Sequence, residues 1–396
     1  MSLVKFPNGF LWGAGSSAQQ VEGNMPWNNW AVWEACGHTK DKTGRATDHY
    51  RRYAEDIDLL ASLGLNTYRF SIEWSRIEPV RGKINKKELR HYGKVLRYLA
   101  EKKIMPFVTL YHFTLPLWAD PEDGKNFVAD FARFARLIAD EFGGMIPYFV
   151  TINEPKVVAK QNYILGNAPP GKKDIKTAFR VLDTFIEAHN AAYDTIRKHA
   201  PNASVGMAEC NDYYFPAYPD SILDVCVTNL NREIWNHYFF RRTVFDFIGV
   251  NYYLPRRLRF NVEKGAREDF FAENVPGGFP KTDIGWDMCP EGLANVLCDL
   301  KQYDKPVIVT ESGVPDRADA FRADYVKRIL AAILEALYRG VDVRGHIYWS
   351  LTDNYEWGDY NARFGLIEID YTTQKRTVRE SAKAYGEIAQ NNALVV

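Results

Sequence analysis

Two glutamates stand at the ends of two short apolar runs, and that placement makes chemistry legible in the chain. Glu154 follows Tyr148-Phe149-Val150-Thr151-Ile152-Asn153 and precedes Pro155, while Glu311 follows Val307-Ile308-Val309-Thr310 and precedes Ser312-Gly313. β-Branched and aromatic runs of this length, bounded by Pro or Gly, read as strands buried on both faces. A carboxylate at the end of such a strand is costly to bury unless pairing or chemistry compensates. Two of them predict carboxylates facing one cleft, where one protonates a departing oxygen while the other attacks. That is the equipment for cleaving a glycosidic bond. Ion-paired surface glutamates are the bland alternative, and they fit poorly behind two buried-strand runs.

Other candidates gather around the same idea. His112, in Leu110-Tyr111-His112-Phe113, is either a satisfied core histidine or a group in the cleft. Asn153 could cap a helix, but beside a carboxylate its amide is well placed to hold a sugar hydroxyl. Trp349, Glu356 and Trp357 lie in one segment, Tyr348 to Trp357. Two tryptophans bracketing a glutamate suit a sugar, because aromatic faces stack on pyranose C–H surfaces while the carboxylate accepts hydroxyl hydrogen bonds. The chain shows no phosphate-binding glycine loop, no HExxH and no G-x-S-x-G. Its cysteines (Cys36, Cys210, Cys226, Cys289 and Cys298) lack C-x-x-C spacing and predict buried free thiols rather than disulfides or a zinc site.

Something must bring the strand ends together. Eight apolar runs are visible: 10–16, 67–72, 105–110, 148–152, 204–208, 247–252, 307–310 and 346–351. Amphipathic helical patterns separate them, such as Leu89, Tyr92, Leu96 and Leu99, or Phe127, Phe131, Phe134 and Ile138. Eight β/α units predict an α/β fold, a (β/α)8 TIM barrel occupying residues 1–396 as one domain. Polar side chains close nearly every run: Gln20, Glu73, His112, Asn153, Asn251 to Tyr253, and Glu311. In this barrel the C-terminal strand ends carry the active site. The fifth run, ending in Glu209-Cys210-Asn211-Asp212, is the ambiguous one. Asn274 to Pro280 reads as a long loop inside a charged excursion.

Composition sets limits. Fifty basic and fifty acidic residues among 396 give a formal charge of zero, so no global field draws nucleic acid or an anionic membrane. No apolar stretch approaches the roughly 18 residues of a spanning helix, and the N-terminus shows no signal-peptide pattern. A cytoplasmic protein is the expectation.

The motifs resemble glycoside hydrolase family 1, the β-glucosidase and β-galactosidase family. They are Ser17-Ala18-Gln19-Gln20-Val21-Glu22-Gly23, Tyr68 to Arg76, Asn153-Glu154-Pro155, Gly249-Val250-Asn251-Tyr252-Tyr253, Thr310-Glu311-Ser312-Gly313 and Trp349 to Trp357. The Asp353-Asn354-Tyr355-Glu356-Trp357 wording looks most like archaeal members. The resemblance implies a retaining β-glycosidase acting on β-D-glucosyl and related residues, needing no cofactor or metal. It implies Glu154 as acid/base and Glu311 as nucleophile. Arg69 and Tyr253 would contact Glu311, with Asn251 in support, and Gln20, His112, Asn153, Trp349, Glu356 and Trp357 would line the sugar subsite. Arg69 is expected to keep Glu311 ionised, with the acidic limb of activity at or below about 4.3, while the negative charge nearby raises Glu154. A carboxylate at 356 would repel a 6-phosphosugar. The chain departs from the family pattern at Ser312, at Phe113, at Gly124 to Phe127 and in a short 208–247 stretch, which touches the leaving-group side and oligomer contacts. Self-association is left open. The rival readings are a transglycosylase on the same site, a sugar-binding barrel without catalysis, and a barrel aldolase or isomerase, for which no strand-end lysine or phosphate loop is visible.

Overall fold

The computed structural model describes residues 3–395. Eight parallel strands close into a barrel: β1 (Leu11–Gly15), β2 (Thr67–Ser71), β3 (Met105–Tyr111), β4 (Tyr148–Asn153), β5 (Ser204–Cys210), β6 (Phe247–Tyr252), β7 (Val307–Ser312) and β8 (Val343–Trp349). Each pairs with its neighbours in chain order, and β8 pairs with β1. All eight expected strands are present. The last starts three residues before the expected His346, and the ambiguous fifth runs through Glu209 and Cys210.

Eight long helices follow the strands: α1 (His49–Ser62), α2 (Lys86–Glu101), α3 (Lys125–Phe142), α4 (Ile175–His199), α5 (Ile222–Arg232), α6 (Gly292–Leu300), α7 (Arg322–Tyr338) and α8 (Glu380–Asn391). Three of them, α2, α4 and α5, start on a side-chain cap. Asn85 accepts from the Lys87 amide at 3.1 Å, and Asp174 accepts from the amides of Lys176 and Thr177. The predicted apolar stripes are the buried ones: Leu89, Tyr92, Leu96 and Leu99 on α2, and Phe127, Phe131, Phe134 and Ile138 on α3. None of the described helices is long and apolar enough to cross a membrane.

The core splits into two layers, as a closed barrel requires. Leu11, Phe107, Val150, Ala208, Phe247, Ile308 and Ile347 form a separate buried cluster, one residue from each of seven strands. Alternation along each strand turns these side chains into the lumen and their neighbours toward the helices. Thus Val307 and Val309 join the outer core while Ile308 fills the interior. On β2, Tyr68 and Phe70 face outward, so Arg69 between them faces the lumen.

Two ladders are irregular where it matters. On β7 the pairing to β6 jumps from Val309↔Val250 to Glu311↔Asn251, and on β4 the pairing to β5 jumps from Val150↔Gly206 to Asn153↔Ala208. Strict alternation would turn both Glu311 and Asn153 outward. An extra residue in each strand re-aims them inward.

Glu73 closes the second run but stays out of the cleft: its carboxylate accepts from Ser75 and Thr114 and caps the short helix Trp74–Ile77. Two expectations fail in part. All five cysteines are free, but Cys36 and Cys226 are exposed and only Cys289 is fully buried. The charged excursion is partly ordered, because Pro255–Phe260 pairs with both Ala272–Asn274 and Tyr213–Pro216.

The loop after β8 is tied down by charge. Asp353 is fully buried and takes two 2.9 Å contacts from Arg379, which opens α8; its Oδ1 also accepts from the Gly365 amide. Removing one member of a buried pair leaves the other charge uncompensated, at about 3–5 kcal/mol. Asp353→Ala is therefore expected to lower unfolding free energy by that amount in urea denaturation, and a loss below about 1 kcal/mol would show that Arg379 finds other partners.

Candidate active site

The C-terminal strand ends surround a cleft of about 220 Å³ whose wall includes His112, Asn153, Glu154, Tyr253, Glu311, Trp349, Glu356 and Trp357. Arg69 lies beneath it, 1% exposed. Its guanidinium ion-pairs with Glu311 Oε1 through Nη1, which also donates to the Thr310 carbonyl at 3.1 Å, while Nη2 donates to Asn153 Oδ1 at 2.5 Å. Tyr253 donates its hydroxyl to the other Glu311 oxygen at 2.6 Å. Glu311 is thus held on both oxygens and has little freedom to rotate.

Glu154 is held differently. Its one side-chain hydrogen bond among the described residues comes from Asn251 Nδ2 at 2.6 Å, and the same amide reaches Asn153 Oδ1 at 3.1 Å. Thr310 fixes the amide's orientation by donating to Asn251 Oδ1 at 2.7 Å. The backbone of Glu154 is left-handed, with φ 49°, as it is at Phe113 (73°) and Trp357 (48°). Each such conformation costs a non-glycine residue on the order of 1 kcal/mol. Three residues bearing that cost around one cleft mark it as a site where side-chain direction outweighs backbone comfort.

The environments push the two carboxyls apart. Burial raises the Glu154 carboxyl well above its ordinary range, and the Glu311 charge adds to it. Burial also raises Glu311, but Arg69, Tyr253 and Asn251 all pull it back. Glu154 is therefore the group that keeps its proton. Two expectations change. Burial outranks the neighbouring charge as the cause at Glu154, and Glu311 sits above free glutamate rather than at or below it, because Arg69 only partly repays desolvation.

On the opposite wall, Gln20 donates to Glu356 at 3.0 Å and to Asn354 at 3.1 Å, and Ser17 donates to its carbonyl at 2.7 Å. Burial, reinforced by Glu311, pushes the Glu356 carboxyl up to about 8. It is mostly protonated near neutral pH, so the repulsion of a phosphate expected there is weaker than a full carboxylate would give. His112 is neutral, since burial and Arg69 lower it strongly. Its ring lies parallel to Trp349 and Trp357, with centroids 5.7 and 6.1 Å away, and its buried Nδ1 has no partner among the described residues. A buried, unsatisfied ring nitrogen is poised for a ligand hydroxyl.

All eleven residues read from sequence thus converge on one site. What the sequence reading missed is the wall beyond Glu154: Lys156, Lys160, Asp212, Arg256, Trp286 and Phe364. Trp286 and Phe364 pack against Tyr253 with centroids 6.0 and 6.2 Å away. Phe364 left a signal, since Arg363-Phe364-Gly365-Leu366 places an aromatic a few residues beyond the Trp349 to Trp357 segment. Trp286 sits in the long loop, where no period marks its partner.

Comparison with known proteins agrees with this arrangement. The profile of glycosyl hydrolase family 1 matches residues 3–245 and 242–394. A β-glucosidase A from Thermotoga maritima is 33% identical over 453 aligned positions, covering 100% of both chains. A 1,4-β-D-glucan glucohydrolase from Thermotoga neapolitana is 32% identical, covering 99% of this chain and all of the relative. Among solved structures, a β-glycosidase from Pyrococcus horikoshii superposes with a TM-score of 0.92 at 32% identity, over 100% of this chain and 97% of the other. The Thermotoga maritima β-glucosidase in complex with castanospermine gives 0.89 at 31% identity, over 99% and 100%. Bacterial and archaeal members thus match at similar identity, 33% for the Thermotoga maritima relative and 32% for the Pyrococcus horikoshii structure. Eight parallel strands with the paired glutamates at their ends, and a family profile spanning nearly the whole chain, place this protein in glycosyl hydrolase family 1.

Proposed function

We propose that Glu311 is the nucleophile and Glu154 the acid/base of a retaining β-glycosidase acting on terminal β-D-glucosyl and related neutral residues. The observation that carries this assignment is the asymmetry of the two carboxyls. Glu311 is clamped by a guanidinium and a phenol, which favour its anion; Glu154 is buried next to that anion and keeps its proton. Nucleophile and acid require those opposite states.

In the reaction, Glu311 attacks the anomeric carbon while Glu154 protonates the departing oxygen, giving a covalent glycosyl-enzyme. Once Glu311 is esterified its charge disappears, the Glu154 carboxyl falls, and Glu154 deprotonates the incoming water. The Tyr253 hydroxyl, released from one carboxylate oxygen, is free to hydrogen-bond the sugar. Gln20, Glu356, Asn153 and the His112 Nδ1 offer donors and acceptors for the sugar hydroxyls, with Trp349 and Trp357 as apolar faces. An acceptor alcohol can replace water at the same intermediate, so transglycosylation shares this site. A binding barrel without catalysis fits less well, since both carboxyls are present and oppositely poised.

Glu311→Gly should lose turnover of 4-nitrophenyl β-D-glucoside by on the order of 10⁴-fold or more, while added azide restores turnover and gives the α-configured glycosyl azide. Near-normal activity in that variant would overturn the assignment.

The pH profile follows from the two shifts. Activity falls on the acidic side as Glu311 takes up a proton, and because burial raises that carboxyl the acidic limb lies above about 4.3. It falls on the alkaline side as Glu154 loses its proton, and that limb lies higher, since Glu154 is raised further. The limbs report the pair rather than either residue alone. Glu154→Gln should abolish the alkaline limb for aryl glycosides, whose departure needs no proton, while turnover of alkyl glycosides collapses. An unchanged alkaline limb would show that another group is the acid.

A further inference from the structure

The cleft is lopsided in charge. Its sugar-facing wall is aromatic and carboxylic, but its outer wall holds Lys156, Lys160 and Arg256. Lys156 is 3% exposed, and its ammonium has no hydrogen-bond partner among the described residues. Its closest anion, Asp212, is 3.5 Å away, and Arg256 contacts the same Asp212 oxygen at 3.5 Å through an Nε that also lacks a hydrogen bond. Lys160 is matched separately by Asp269 at 3.3 Å. Two cations thus share one carboxylate. Glu268, half-buried at the rim, makes no ion pair among the described residues. Glu209, buried beside Lys156, is pushed up to about 8 by burial and contributes little charge near pH 7. Glu268 acts on Arg256 from the rim, so what the pocket leaves open is hydrogen bonding: the buried Lys156 ammonium and the Arg256 Nε have no acceptor among the described residues, an arrangement that is costly unless a ligand completes it.

Arg256 and Glu268 also line a second, larger cavity of about 760 Å³, so the cleft continues outward past them. Lys173, Lys264 and Arg267 line this outer space and form no ion pair among the described residues, whereas Glu273 is held by Arg259 at 2.9 Å. The excess of unpaired cations runs along the path a leaving group would take from Glu154. A neutral sugar could hydrogen-bond there, but it would not offset the charge.

We propose that the leaving-group side of the cleft binds an aglycone bearing a carboxylate, received by the Lys156 ammonium and the Arg256 guanidinium. Three N–H donors on Lys156 and the planar fork of Arg256 suit a carboxylate. The inference rests on the assignment of Glu154 and Glu311, which fixes which end of the cleft the aglycone occupies.

Two matched substrate pairs test it: 4-carboxyphenyl against 4-carbamoylphenyl β-D-glucoside, and β-D-glucosyl-(1→4)-D-glucuronate against cellobiose. The charged member of at least one pair should have roughly tenfold or greater kcat/KM, the scale of a charge-assisted hydrogen bond. Which pair responds separates an aryl acid from a uronic acid. The ratio should shrink as ionic strength rises and fall toward one in Lys156→Met or Arg256→Gln. Parity or a neutral preference in both pairs would overturn the inference, as would a preference that survives both variants. Wild-type turnover of 4-nitrophenyl β-D-glucoside is the control. An enzyme inert toward that substrate would refute the assignment of the carboxyl pair, while an active enzyme without charge preference would refute only this inference.

Discussion

Arg69 is a guanidinium inside a barrel, 1% exposed, and the mouth of the barrel is organised around satisfying it. An unpaired cation there would be prohibitively expensive, so Glu311 supplies its counter-charge while Thr310 and Asn153 supply acceptors. Those partners come from β7 and β4, so one side chain on β2 links three strands across the lumen. Glu154 sits outside this balance. It neighbours the anion but contacts no cation directly, and burial keeps it protonated. The proposed division of labour between the carboxyls therefore follows from where one arginine's charge is spent.

The eight strands were legible because a buried parallel strand needs a continuous apolar run, and a polar residue at its end is conspicuous. The helices were legible through their stripes. The sequence also exposed the site residues, since Glu154, Glu311, Asn251 and Tyr253 all close such runs. It did not reveal how Glu311 and Asn153 come to face inward. Their alternation is wrong for it, and only the ladder irregularities at Thr310 and within 150–153 correct it. Glu73 shows the complementary limit. It closes a run as conspicuously as the others, but Ser75 and Thr114 turn it into a helix cap. The outer wall was invisible because Lys156 and Arg256 belong to segments with no period in common, and their sharing of Asp212 exists only in three dimensions.

The two halves of the cleft differ in what fixes them. On the proposed sugar side, hydrogen bonds run from Gln20 through Glu356 and Asn354 to a loop pinned by the Asp353–Arg379 pair, and the backbone accepts left-handed geometry at Trp357. On the proposed leaving-group side, the contacts are long and the donors of Lys156 are unused. One wall is thus fixed by short hydrogen bonds and the other by long ion contacts. The chain is also shorter than the 453 positions over which it aligns with its Thermotoga maritima relative, so its losses lie inside the alignment rather than at its ends.

The central claim is a covalent bond between Glu311 and the sugar. Incubation with 2,4-dinitrophenyl 2-deoxy-2-fluoro-β-D-glucoside, whose fluorine slows breakdown of the intermediate more than it slows its formation, tests this claim directly. Mass spectrometry of the intact and proteolysed protein should show one fluoroglucosyl group per chain, on the peptide containing Glu311. A protein that turns over ordinary β-glucosides but forms no adduct, or one labelled at a different residue, would contradict the account.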